Sequence, residues 1–182
     1  MYWEKIEGSF SFQPFYERMI HRFNNATFVE IGTFKGQSIM YLAERIKELQ
    51  KHIKLYTIDI FEYAEQQKDD ENGRFIGVSF YDEFLKNIEP LKKYITPIKG
   101  NSHIVHDQFK DESIDFLFID GDHNYDAVMK DLKFWYPKVK NGGIISGHDY
   151  MWVDARVKRA VDQFFLFTGV YMDTGDSWYK VK

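Results

Sequence analysis

Apolar positions along the 182-residue chain switch repeatedly between a period of two and a period near 3.6, and each switch marks an element boundary. Phe28, Val29 and Ile31 read as a strand over 28–32, with Gly32 where the strand turns. Ile39, Leu42, Ala43, Ile46 and Leu49 then recur at helical spacing and predict a helix over about 37–50. Residues 53–59 (IKLYTID) form the next strand, and a polar, aperiodic stretch at 62–77 reads as a long surface loop near the site. A helix over 78–94 turns Phe80, Phe84, Leu85, Ile88 and Leu91 inward, with a break at Pro90. Residues 95–98 make a short strand whose Pro97 suits a sheet edge, and a turn leads into a short helix at about 103–110.

Residues 114–119 form a buried strand ending at Asp120, followed by an amphipathic helix from Tyr125 to Trp135 that Pro137 closes. Asn141-Gly142-Gly143 reads as a turn and 144–146 as a strand ending at Gly147-His148-Asp149. A helix over 154–167 precedes two closing strands, 169–172 and 177–181, with Gly175 between them. Ahead of all this, Phe15, Tyr16, Met19, Ile20 and Phe23 make a helical stripe, so 1–27 is a leading helix with an aromatic segment able to act as a lid. Strand, turn and helix in alternation predict an α/β fold. The expected form is a Rossmann-like, seven-stranded, mostly parallel sheet with helices on both faces and a C-terminal antiparallel hairpin, in one domain over 1–182.

Composition narrows the function more than the fold. A 44% hydrophobic, 29% charged chain is globular, and its length holds a full core. The net charge of −4 and the lack of a Lys/Arg block argue against duplex nucleic acid as a partner. No apolar run is long enough for a transmembrane helix, and MYWEKIEGSF lacks a signal-peptide pattern. The expectation is a cytoplasmic protein, with a homo-oligomer compatible with the sequence. Zero cysteines exclude disulfides and thiolate metal sites.

The first strand carries FVEIGTFKGQS at 28–38. A dinucleotide fingerprint would need glycines at 34 and 37, where Phe34 and Gln37 stand; a P-loop would need a glycine at 37. What remains is E-x-G-x-x-x-G, with Glu30 in the strand. Gly32 and Gly36 let a ligand approach the backbone, and Ser38 adds a hydroxyl at the helix N-terminus. Asp59 ends the second strand, where such folds meet ribose hydroxyls, although a strand-end Asp also serves as a cap. Ser102, His103 or the adjacent backbone lies in reach of an adenine edge, and Ser102 doubles as a helix cap.

Asp120, His148 and Asp149 converge from two strand ends as a set suited to a divalent ion with open positions. Asp122 and Asn124 read as capping residues. His123 is the general-base candidate, because imidazole titrates near neutrality.

The E-x-G-x-x-x-G block resembles motif I of class I S-adenosylmethionine (SAM) methyltransferases. FIDGDHNYDAVMKDL with NGGIISGHDY resembles the signature of small-molecule O-methyltransferases that act on sugars, and more distantly catechol O-methyltransferase. The resemblance covers 28–150. It implies Glu30, Gly32, Gly36 and Ser38 on the methionine side of SAM, Asp59 on the ribose, and Ser102 and His103 on the adenine. It implies Asp120, His148 and Asp149 as ligands to Mg²⁺ or Mn²⁺, and His123 as the base. His148 stands where family members carry an acid, which softens the site and makes Fe²⁺ or Zn²⁺ credible as well. The expected activity is metal-dependent O-methylation of a small hydroxylated acceptor such as a sugar. The alternatives are a metal-dependent hydroxylase or hydrolase on the same fold, and a non-catalytic SAM- or sugar-binding module.

Overall fold

The computed structural model of the chain describes residues 1–62 and 79–182. Its strands are β1 (Asn25–Ile31), β2 (His52–Asp59), β3 (Ile95–Lys99), β4 (Ile114–Ile119), β5 (Val139–Gly147), β6 (Tyr171–Met172) and β7 (Trp178–Val181). They form one sheet in the order β3-β2-β1-β4-β5-β7-β6. The first five run parallel, and β7 lies antiparallel between β5 and β6. The expected sheet, hairpin included, is therefore the one observed. β3 takes the edge, where its Pro97 is tolerated.

Among the described residues six α-helices flank the sheet: α1 (Gln13–Arg22), α2 (Gln37–Glu48), α3 (Tyr81–Ile88), α4 (Ser102–Val105), α5 (Tyr125–Trp135) and α6 (Arg156–Phe164). The period-two alternation of the strands divides the core between the two faces. Phe28, Phe116, Phe118 and Ile144 pack with α1, α2 and α3. Val29, Ile31, Leu117, Ile119 and Ile145 pack with α4, α5 and α6. The aromatic excess is concentrated in the first of these layers. The Phe118 ring meets Phe12 at 4.5 Å, Tyr16 at 4.8 Å and Phe15 at 6.1 Å.

Several boundaries differ from expectation, each for a local reason. Asn141, Gly142 and Gly143 do not form a turn outside the strand. They lie within β5, where the pairing to β4 shifts register between Ile114 and Phe116, and Gly142 (φ +79°) accommodates the irregularity. Leu85 points outward, because the buried face of the short α3 is filled by Phe84 and Ile88 one turn apart. Pro90 does break the helix, into a 3₁₀ stretch over Glu89–Tyr94. α6 stops at Phe164, since Leu166 and Phe167 are left-handed. The 62–77 loop lies almost wholly outside the described residues. Among the described residues no helix is long and apolar enough to cross a membrane.

The leading segment runs over α2 and reaches the carboxyl edge of the sheet. The backbone amides of Tyr2 and Trp3 donate to Glu44, Lys35 pairs with Glu7 at 2.6 Å, and Ser11 meets His148 at the end of β5.

Phe118→Ala removes a fully buried ring from the centre of the aromatic layer, and a loss of about 3–5 kcal/mol is expected. Urea unfolding of the two proteins measures it; a loss below about 1 kcal/mol would show that the layer repacks around the gap.

Candidate active site

Glu30 sits on β1 with its carboxyl buried. The Tyr16 hydroxyl donates to Oε2 at 2.6 Å and the Ser38 hydroxyl to Oε1 at 2.9 Å. Burial pushes its pKa up to about 7; the hydroxyls of Tyr16 and Ser38 work against the rise, and the charge of Asp120 adds to it. Gly32 follows with φ +80°. A Cβ there would stand 2.0 Å from the Asp120 carbonyl oxygen, so only glycine lets the β1 turn lie against the end of β4. Gly36 (φ +94°) caps α2, and a Cβ on it would press on the Phe84 ring at 3.1 Å. Gln37 Oε1 is buried in the same turn without a hydrogen-bond partner, while the Thr33 hydroxyl joins those of Tyr16 and Ser38 in opposing the rise at Glu30.

Asp59, at the end of β2, clamps this turn. Its Oδ2 accepts from the backbone amides of Thr33 at 2.9 Å and Phe34 at 3.0 Å, and its Oδ1 from Phe61 at 2.7 Å. Burial still holds its pKa above the ordinary value against those bonds. A carboxylate has about four acceptor positions. Three are engaged with backbone here, so a ribose would share the group with the fold.

At the start of α4 the cap is Asn101, whose Oδ1 accepts from His103 N at 2.8 Å, and not Ser102. Ser102 gives its hydroxyl proton to Asp131, a buried acid on α5, at 2.6 Å. His103 Nε2 is 3.4 Å from the same oxygen, and that bond raises the pKa of the imidazole. Both side chains predicted to face adenine are thus tied to α5.

At the ends of β4 and β5 the structure brings Asp120, His123, His148 and Asp149 together. His123 Nε2 lies 2.8 Å from Asp149 Oδ2 and 3.7 Å from Asp120 Oδ1. His148 Nδ1 lies 3.1 Å from Asp149 Oδ1 and 3.6 Å from Asp120 Oδ1. Asp149 is left-handed (φ 57°), a conformation Asp tolerates better than most residues. Burial opposes the charge on both imidazoles, but the two carboxylates outweigh it, lifting His123 to about 9 and His148 to about 10. Both carboxyls are held below their usual range, because the bonds from His123 and His148 overcome the penalty of burial. Among the described residues Asp120, His123 and Asp149 can each place one donor atom within 4.8 Å of the others. His123 is the imidazole of that compact set and His148 lies outside it, although His148 Nδ1 is against the same two acids. Asp122 takes the structural part expected of it, accepting from Asn124 N at 2.8 Å.

Four residues at the site carry no motif that would single them out. Tyr16 reads as packing and also donates to Glu30. Asp131 is one acid on a helix, Ser11 one serine in an aromatic stretch, and half-exposed Trp152 sits with its ring 5.1 Å from His123. Only the fold brings them to the site.

Residues 29–150 match the family model described as a methyltransferase domain. The chain belongs to the methyltransferase domain family. Protein R132 of Acanthamoeba polyphaga mimivirus is 35% identical over 133 residues, covering 70% of this chain and 52% of its own. Protein y4gI of Sinorhizobium fredii is 23% identical over 136 residues, 75% of this chain and 14% of its own, so the chain spans about half of one of these curated relatives and a small part of the other. The O-methyltransferase NovP superposes with a TM-score of 0.66 at 18% identity, covering 93% of this chain and 78% of that one. An O-methyltransferase from Bacillus cereus, solved with SAH, gives 0.65 at 19% identity, covering 98% and 84%. The sequence match makes this a methyltransferase domain, and the superpositions show its Rossmann-like architecture.

Glu30 sets the sign of one pH effect. In the folded methyltransferase it keeps its proton up to about 7, and the unfolded chain releases it near 4.5. The folded state binds more protons in that window, so this group's contribution to stability falls as pH rises from 4.5 to about 7. Glu30→Gln, followed by urea unfolding across the window, is expected to flatten that fall. An unchanged slope would mean that Glu30 ionises normally.

Proposed function

We propose that the domain is a divalent-metal-dependent O-methyltransferase for a small hydroxylated acceptor such as a sugar. One observation carries the reading: the Gly32 turn is packed directly on Asp120, the acid shared by both imidazoles. Cofactor turn and acid–imidazole cluster are therefore two halves of one site.

The residues present fit SAM. Gln37 Oε1 is a buried polar atom without a partner, and Glu30 is an acid able to ionise against a cationic methionine end. Gly32, Gly36 and Ser38 shape the methionine side. Asp59 keeps acceptor capacity for ribose, and the turn carrying Ser102 and His103 serves the adenine side. SAM supplies an electrophilic methyl group.

The donor set also fits a divalent ion. Two carboxylates and imidazole nitrogens suit Mg²⁺ or Mn²⁺, with the imidazoles extending the range to softer ions. Asp120, Asp149 and His148 would hold the ion, which supplies the Lewis acidity that makes an acceptor hydroxyl easier to ionise. The charge of that ion would favour the neutral form of His123, whose Nε2, beside both carboxylates, would then be placed to take the hydroxyl proton. Trp152, beside His123, offers an apolar wall to the acceptor ring.

Transfer of a labelled methyl group from SAM to a panel of sugars and catechols tests the reading. Mass spectrometry separates methylation from oxygen insertion. Asp120→Asn and His123→Ala are each expected to lower transfer at least about 100-fold while leaving the thermal transition cooperative. Full activity in excess EDTA, or in either variant, would remove the mechanism.

A further inference from the structure

We infer that Ser11, which lies outside the family-matched span, fixes His148 in the ring form that offers Nδ1 to a divalent ion. The inference rests on the metal site proposed above. It follows from where one proton must go.

A serine hydroxyl has one hydrogen to donate and lone pairs to accept with. Ser11 Oγ lies 3.2 Å from the Gly175 carbonyl oxygen and 3.1 Å from His148 Nε2. A carbonyl only accepts, so the serine hydrogen goes to Gly175. Toward His148 the hydroxyl is then the acceptor, and Nε2 must carry a hydrogen. In a neutral imidazole with Nε2 protonated, Nδ1 is the nitrogen with a free lone pair. Nδ1 is also the nitrogen beside Asp120 and Asp149, at 3.6 and 3.1 Å.

The neighbours hold this arrangement in place. The buried Phe12 ring packs 4.8 Å from the imidazole and limits its rotation. The backbone of Ser11 lies directly on the Gly175 turn (φ +67°), where a Cβ on residue 175 would stand 2.4 Å from the Ser11 carbonyl oxygen. Ser11 therefore cannot retreat from the site unless the leading segment lifts. Metal-ligating histidines generally have their second nitrogen fixed by a hydrogen-bond partner, which sets the tautomer and the ring angle. Ser11 supplies that partner from a part of the chain that the family pattern does not include, to a histidine that stands where the resemblance expects an acid. It is a positioning residue, acting through His148.

Calorimetric titration of Mn²⁺ into the wild-type protein, Ser11→Ala, Ser11→Thr and Asp120→Asn tests this, with S-adenosylhomocysteine binding followed separately. Ser11→Ala is expected to weaken Mn²⁺ binding about 10- to 100-fold, while Ser11→Thr, which keeps the hydroxyl, retains it. Nitrogen-15 NMR of the Zn²⁺-loaded wild type should show His148 protonated at Nε2, a signature that general loosening of the segment would not produce. Wild-type affinity in Ser11→Ala, an equal loss in Ser11→Thr, or a His148 protonated at Nδ1 would each overturn the inference and leave the metal site standing. Failure of the wild type to bind Mn²⁺ would remove the metal site and this inference with it, and S-adenosylhomocysteine binding would then report on the methyltransferase reading alone.

Discussion

The carbonyl oxygen of Asp120 occupies the space that any side chain on residue 32 would need. A Cβ at Gly32 would be 2.0 Å away, well inside contact distance. This one steric constraint sets the spacing of β1 and β4 at their carboxyl ends. It is reinforced by hydrogen bonds from Asp120 N to Ile31 O at 2.7 Å and from Gly32 N to Ile58 O at 2.8 Å. Everything chemically interesting lies within a residue or two of that contact. Separating the strands by a methyl group would move the cofactor turn off the acid that both imidazoles share.

The other recurring theme is the buried or half-buried carboxyl, and the surroundings give each one a different use. Asp59 is surrounded by backbone amides and serves as a clamp on the turn. Asp131 is tied to a hydroxyl and an imidazole and joins α4 to α5. Asp120 and Asp149 face two imidazoles, and the four form a balanced cluster of charge. Glu30 alone has only neutral hydroxyls for partners, and its pKa near 7 leaves it closest to a change of charge. A carboxyl's environment thus decides whether it holds the fold or remains free to answer a ligand.

Much of this was legible in the sequence, for reasons that can be traced to particular residues. Local periodicity suffices to place β1, α2, β4 and α5, because each buries a continuous face and so must show it in its pattern. The glycine requirement at 32 could be suspected from the strand–turn–helix pattern, and the convergence of Asp120 with His148 and Asp149 from the parallel order of their strands. What periodicity does not carry is a contact between distant segments. Asp59 as a clamp, Ser102 spent on Asp131 and Ser11 on His148 all depend on which hydroxyl or amide the fold places opposite a given oxygen. Asn141-Gly142-Gly143 differs for another reason, since glycines that would make a turn in isolation make an irregularity within a strand when the pairing to its neighbour resumes on the other side. Leu85 stays outside because Phe84 and Ile88, a turn apart, fill the buried face of a helix only two turns long.

The position of β7 has a consequence for how the molecule comes into being. Trp178–Val181 lie inside the sheet, between β5 and β6, so the outer edge of the strand that leads to His148 and Asp149 stays unpaired until this last stretch has left the ribosome. Trp178 packs fully buried against Gly147, the residue just before His148. Synthesis therefore completes the scaffold of β1 to β4 first, at roughly 5–20 residues per second, and the reactive corner last. A nascent chain that has not yet reached β7 would carry the Gly32 turn without a finished acid–imidazole cluster.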